Sequence, residues 1–315
     1  MPETGTAASS ISGVIPVLPT PFNDRGEVDE RGFARVVEAS LADGVNGVVM
    51  FGLASEAYKL TDDERRRLSM LLIEQVAGRV PVIISVIHHS LEIAIRESAW
   101  AEKAGADAIM VMPPYLRSPG EAAVRNHIAG VAAAVDLPVI VQYAPAQTGT
   151  NLSAETLTEI HRTHPNFTHV KVDLVPSGPM ITSLRNCSGN SLLAIVGYMG
   201  LHLPDDIRRG VTAVMPTVSL GRAFVQLFML LQARADDGWR LHQRLLPLLN
   251  FMMQSVEMLI AVEKQLLVRR GIIRSARCRA PAWTLDSFHK AELEQYAVEL
   301  AEWLPAFLPN EEQFA

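Results

Sequence analysis

The 315 residues carry 28 Lys and Arg against 34 Asp and Glu, a formal net charge of −6, and 49% of them are hydrophobic. A chain of this kind can bury a large core, and without a basic block it is a poor match for nucleic acid or an anionic membrane. No apolar run reaches the roughly 18 residues that a spanning helix needs, and Cys187 and Cys278 match neither a zinc-ligand spacing nor a redox CxxC, so they read as reduced thiols of a cytoplasmic protein.

Residues 1–12 are small and polar, with no basic or apolar leader pattern, and read as a flexible N-terminal arm. Apolar runs then begin near Val14, Gly47, Val82, Ala108, Pro138, Thr168, Leu192 and Ala213, and amphipathic helical stretches separate most of them. The runs are apolar on both faces, as parallel strands between a barrel interior and a helical ring must be, and eight of them predict a (β/α)8 TIM barrel whose strands span 13–218. Thr61 to Glu64 and Ser118 to Glu121 read as capping boxes, the second with Pro119 at the first helical position, and Gly44, Gly105 and Gly210 suit helix ends. Beyond Ser219 the pattern becomes long helical stretches, predicting a last barrel helix and a C-terminal helical extension over 219–315, packed on the barrel or used in assembly. Its Phe228, Met229, Phe251, Met252 and Met253 read as core or subunit interface. The rival architecture, an open doubly wound sheet, is weakened by the lack of a GxGxxG turn after the first strand.

Lys171 stands apart from the other lysines. Lys59, Lys103, Lys264 and Lys290 fall in polar or helical stretches where an ammonium can stay in water, whereas Lys171 interrupts the apolar run Thr168-His169-Val170-Lys171-Val172-Asp173. Burial disfavours the charged form, and a neutral amine can attack a carbonyl, so the functional reading is a Schiff-base lysine. The bland reading is a lysine that snorkels into solvent or pairs with Asp173. The position is the C-terminal end of the sixth strand, the barrel face that carries active sites. Asp173, two residues on, should lean to the same side and either exchange protons or pair with the lysine. His88 and His89 end the third strand but point apart and lack a ligand cluster, which argues against a metal. Lys59 is a rival amine with an expected solvated salt bridge, Tyr58 and Arg117 read as rim residues, and Glu56 as a brace for its loop.

From about Gly13 to Ala301 the chain resembles the dihydrodipicolinate synthase and N-acetylneuraminate lyase superfamily of Schiff-base-forming barrel enzymes. The resemblance is carried by the stretch Gly13 to Phe22, by Gly52-Leu53-Ala54-Ser55-Glu56, by Leu60 to Arg65, by Ala104-Gly105-Ala106-Asp107, by Pro113-Pro114-Tyr115, by Leu137 to Ile140, by Pro145 with Thr148-Gly149, and by Lys171 at the imine position. It implies a small 2-oxo acid substrate, no cofactor or metal, and a homodimer or homotetramer. Where the family's GTTGE or GSTGE loop holds the pyruvate carboxylate with hydroxyls, this chain has Leu53 and Ala54. The backbone N–H groups of Leu53, Ala54 and Ser55 remain for that task, and Ser55 keeps one hydroxyl. Gln142 stands at the family's catalytic tyrosine, with Tyr143 next to it and expected to face the other way. Gln147 replaces an arginine that grips the synthase's second substrate, and Leu116 replaces a second relay tyrosine, leaving Tyr115.

These departures argue against lysine-pathway synthase activity. Together with the acidic residue two positions after the lysine, and Lys59 before the Leu-Thr-x-x-Glu helix start, they resemble the L-2-keto-3-deoxyarabonate dehydratase branch, in which a glutamate would be expected where this chain has Asp173. The expected catalytic residues are thus Lys171 and Asp173, and the expected substrate contacts Leu53, Ala54, Ser55, Gln142, Tyr143 and Tyr115. Dehydration of a 2-keto-3-deoxy sugar acid is the expected reaction; a pyruvate-dependent aldolase and a non-catalytic 2-oxo-acid binder are the alternatives.

Overall fold

The computed structural model describes residues 11–117 and 119–304. Eight parallel strands, β1 (Gly13–Val14), β2 (Val48–Met50), β3 (Val82–Val86), β4 (Ala108–Val111), β5 (Val139–Tyr143), β6 (Phe167–Val172), β7 (Leu193–Val196) and β8 (Ala213–Val214), run in the order β1-β8-β7-β6-β5-β4-β3-β2. Gly13 pairs with Ala213 at one seam, and a bridge between Val17 and Val49 joins the β1 segment to β2 at the other, so the sheet closes into the expected (β/α)8 barrel. The starts of the apolar runs anticipate the start of every strand to within one residue, while several of the strands end earlier than the runs do. Pro138 is excluded from β5 and Pro16 cuts β1 short, because proline has no N–H to give to a ladder.

Strand alternation sorts the core into two layers. Ile15, Val17, Val49, Ile83, Met110, Ile140, Ile195 and Met215 pack inside the barrel. Their neighbours along the strands, such as Val14, Val48, Ile84, Ile109, Val139 and Val196, pack outward against the helices. Each strand is followed by a helix, and the second of these, Asp62–Val76, carries the expected capping box: Thr61 Oγ1 accepts from the Glu64 N–H at 3.2 Å and the Thr61 N–H donates to Glu64 Oε2 at 2.9 Å. The helix after β4 starts later than the sequence suggests, at Glu121 with Gly120 as its cap, and Ser118 lies outside the described residues. The proposed polar arm also needs correction at its end. Ile11 is buried in the barrel interior, while residues 1–10 lie outside the described region.

After the eighth barrel helix, Gly221–Gln232, come Asp236–Met252, Val256–Arg269 and Ser287–Trp303. The first two are bent against each other by 116°, and among the described residues no single helix is long and apolar enough to cross a membrane. The bend matters for the site. It brings Val256–Arg269 against the 3-10 turn Leu53–Ser55 that follows β2, where Arg270 anchors its end by pairing with Asp43 at 3.1 Å.

Candidate active site

In β6 the residues alternate, so His169 and Lys171 face the barrel interior and Asp173 continues on the same side just past the strand. Register places Gln142 of β5 beside Lys171 on one flank and Ile195 of β7 on the other. Lys171 Nζ lies 2.9 Å from Asp173 Oδ2, and the same oxygen accepts from Gln142 Nε2 at 2.7 Å. All three residues are buried. Two opposite charges taken out of water cost free energy unless paired and hydrogen-bonded, and here the ion pair plus the Gln142 amide meets that requirement. Gln142 Oε1 has no hydrogen-bond partner among the described residues, which leaves one acceptor for a ligand.

These groups open onto a cavity of about 70 Å³ whose other walls include Val17, Leu53, Ala54, Tyr198, Met199 and Thr217. Outside it lies a vestibule of about 360 Å³ that shares Leu53, Gln147 and Val256 and adds Tyr58, Tyr115 and Glu257. Tyr198 and Met199 hold left-handed backbone angles, φ 47° and 52°, a costly conformation that the surrounding structure must impose. The result is that Tyr198 meets Gln147, whose Nε2 donates to the phenol oxygen at 3.0 Å across the rim. Partial burial, and then the Glu257 carboxylate, push the Tyr58 phenol up to about 12, so it stays a donor at the mouth.

Of the residues singled out by sequence, Lys171, Asp173, Gln142, Leu53 and Ala54 come together at the inner cavity, and Tyr115 lies in the vestibule. Tyr143 does not join them; it faces outward into the barrel–helix layer, as strand alternation requires. The Ser55 hydroxyl donates to Leu18 O at 2.6 Å and the Ser55 N–H to Gly52 O at 2.9 Å, so both are spent on holding the turn. Tyr198, Thr217, Val256 and Leu259 were missed, and no local signal marks them, because they arrive from loops and a helix far along the chain.

Two readings of the sequence, both of lysines, are corrected here. Lys264 does not stay in water: it is fully buried, donates to Glu56 Oε1, and has Nζ 4.3 Å from the Phe22 ring centroid. Lys59 is likewise in a buried pair, 2.8 Å from Glu56 Oε2, where a solvated one was expected. Burial lowers the Lys264 ammonium, with Glu56 opposing the shift. Glu56 does brace its loop, also accepting from the Arg279 N–H at 3.1 Å. Met253 packs against the core as expected and also reaches the cavity wall. Near His88 and His89, and elsewhere among the described residues, no group of three or more His, Cys, Asp or Glu is placed to hold a metal.

The model of the dihydrodipicolinate synthetase family matches residues 10–300. The chain belongs to that family. Among curated relatives of this family it is 33% identical over 298 residues to an L-2-keto-3-deoxyarabonate dehydratase of Azospirillum brasilense, covering 92% of this chain and 94% of that one. It is also 33% identical over 238 residues to a 4-hydroxy-tetrahydrodipicolinate synthase of Agrobacterium fabrum, covering 75% and 81%. Among solved structures, a putative dihydrodipicolinate synthetase from Pseudomonas aeruginosa superposes with a TM-score of 0.87 at 26% identity, over 92% of this chain and 100% of that one. A prophage protein of the family from E. coli, in complex with pyruvate, superposes with a TM-score of 0.85 at 26% identity, over 92% and 98%. This is a lyase of the Schiff-base superfamily.

Proposed function

We propose that this family member dehydrates a 2-keto-3-deoxy sugar acid through an imine on Lys171. The observation that carries the reading is the single Asp173 oxygen shared by Lys171 Nζ and Gln142 Nε2, which sets a carboxylate beside the reacting amine where an ionisable tyrosine would serve aldol chemistry. The nearly full-length likeness to a 2-keto-3-deoxyarabonate dehydratase supports it.

In this mechanism Lys171 Nζ gives its proton to Asp173, attacks the C2 carbonyl and expels water to form the iminium. The iminium draws electrons from C3, so a base can remove a C3 proton to give the enamine; Asp173, freed of its proton by exchange, stands in place for that step. The enamine pair then expels the C4 hydroxyl, which leaves as water after taking a proton. Loss of a C5 proton, protonation at C3 and ketonisation of the resulting C4=C5 enol make C5 the aldehyde, and hydrolysis of the imine returns the lysine. Gln142 cannot ionise at neutral pH; it holds Asp173 in place and offers Oε1 to the substrate. The substrate carboxylate is assigned to the Leu53 and Ala54 N–H groups, which begin a 3-10 turn and have no partner within it.

Two measurements test this reading. Borohydride with pyruvate should leave a reduced adduct on the peptide containing Lys171, and 2-keto-3-deoxy sugar acids should give dehydrated semialdehydes. Release of pyruvate and an aldehyde, with no dehydrated acid, would transfer the assignment to the aldolase reading.

A further inference from the structure

Thr217, on the cavity wall, is the visible end of a hydrogen-bonded chain that leads out of the site. Its Oγ1 lies 3.3 Å from Ser219 Oγ, and Ser219 Oγ donates to Glu263 Oε2 while the Ser219 N–H donates to Oε1 at 3.0 Å. Glu263 is a carboxyl group on the helix Val256–Arg269, beside Lys264 in sequence but pairing with different partners. It has no ion-pair partner within 4 Å among the described residues. Arg270, the cation that acts on it, is engaged with Asp43 at 3.1 Å and with Ser219 O at 3.0 Å. Burial pushes the Glu263 carboxyl up from its ordinary range, opposed by the Ser219 and Thr217 hydroxyls and by Arg270.

An anchor for the Ser219 turn alone would be satisfied by any neutral acceptor. A carboxyl group adds something that a neutral acceptor lacks, since its protonation reverses the chain. Ionised, it accepts from Ser219 and draws the Thr217 hydroxyl proton towards itself and Ser219, so that Thr217 can then only accept from the cavity. Protonated, it donates to Ser219, which donates to Thr217, and the Thr217 hydroxyl is free to donate inward.

We propose that Glu263 is a positioning residue that, through Ser219, makes Thr217 the donor that protonates the departing hydroxyl. The inference rests on the dehydratase reading above. As the C4–O bond breaks, the leaving oxygen takes the Thr217 proton, Thr217 takes that of Ser219, and Ser219 takes that of Glu263. Water leaves, Glu263 is left ionised, and it regains a proton from solvent through the same hydroxyls once the product has left. The proton removed from C3 departs separately through Asp173.

The test is steady-state kinetics of the full chain on a 2-keto-3-deoxy sugar acid, with a solvent-deuterium proton inventory. Glu263→Gln and Ser219→Ala should lower kcat by about 10²-fold with KM changed by no more than about twofold, and the curved inventory of the parent protein should become linear. Thr217→Ser should restore what Thr217→Val removes. A kcat within about twofold of the parent in both Glu263→Gln and Ser219→Ala would overturn the proposal. So would a loss of activity that follows a lowered Tm with the inventory still curved, since that is the mark of a structural role. If Glu263→Gln does not fold, Ser219→Ala carries the test. Failure of the parent protein to trap pyruvate on Lys171 would instead refute the imine reading on which the relay rests.

Discussion

Gly197 and Asp173 are matched so closely that no side chain fits between them: a Cβ on Gly197 would sit 1.7 Å from Asp173 Oδ1 and 3.1 Å from Lys171 Cε. The bare backbone at the end of β7 is what lets the carboxylate stand against the lysine. Gly197→Ala should therefore displace Asp173 and lower turnover by about 10²-fold, because a shift near 1 Å in a reacting group is costly. The circular dichroism spectrum should stay that of the parent. Unchanged kcat would show that Asp173 need not occupy its present place.

Asp173→Asn keeps the size of the side chain and removes its capacity to take a proton. Dehydration should fall by on the order of 10²-fold or more if this carboxylate is the base. Single-turnover product formation separates this loss from any loss of imine formation. A variant at nearly parent rate would move the base elsewhere.

Glu56 accepts from Lys59 and from Lys264, two ammonium groups that have almost no contact with water. Removing the carboxylate strands both charges, so Glu56→Gln should cost about 3–5 kcal/mol in chemical denaturation. The double variant Glu56→Gln with Lys264→Met should recover part of that loss. Equal losses in the single and double variants would contradict the account.

His169 faces the barrel interior, and burial brings its imidazole down to about 4 from an ordinary 6.5. The folded state then binds fewer protons than the unfolded state between those values, so stability tied to His169 is intact above about pH 6.5 and is lost as pH falls towards 4. Relative to His169→Leu, the parent protein should lose roughly 3 kcal/mol across that window. Asp206, raised to about 6 by burial, acts in the opposite sense over much of the same range. For that reason the difference between parent and variant is the readout, and a difference independent of pH would disprove the assignment.

Phe288 and Leu116 are 82% and 75% exposed, and Met229 is also open to solvent. A contiguous patch of such side chains would mark an interface, and we expect a homodimer or homotetramer. Light scattering at micromolar concentration should exceed the mass of one chain; a monomer would end this expectation.

The sequence by itself determined the barrel and the place of its chemistry. Eight runs apolar on both faces read as strands buried twice over, their number and the lack of a GxGxxG turn favour the barrel over an open sheet, and Lys171 near the end of the sixth run falls at the face where the strands finish. Alternation also predicted that Asp173 would side with Lys171, since a period of two is a local rule; the same rule turns Tyr143 away from Gln142 and the cavity, against the expectation that it touches substrate. Tertiary structure decided what depends on the path of the chain between elements. The left-handed turn that aims Tyr198, the 116° bend that brings Val256–Arg269 over the Leu53–Ser55 turn, and the burial of Lys264 against Glu56, 208 residues away, leave no local signal. Lys264 shows why. On a helix its spacing reads as a solvated charge, and only the packing of that helix on the barrel removes its water and gives it a carboxylate in exchange.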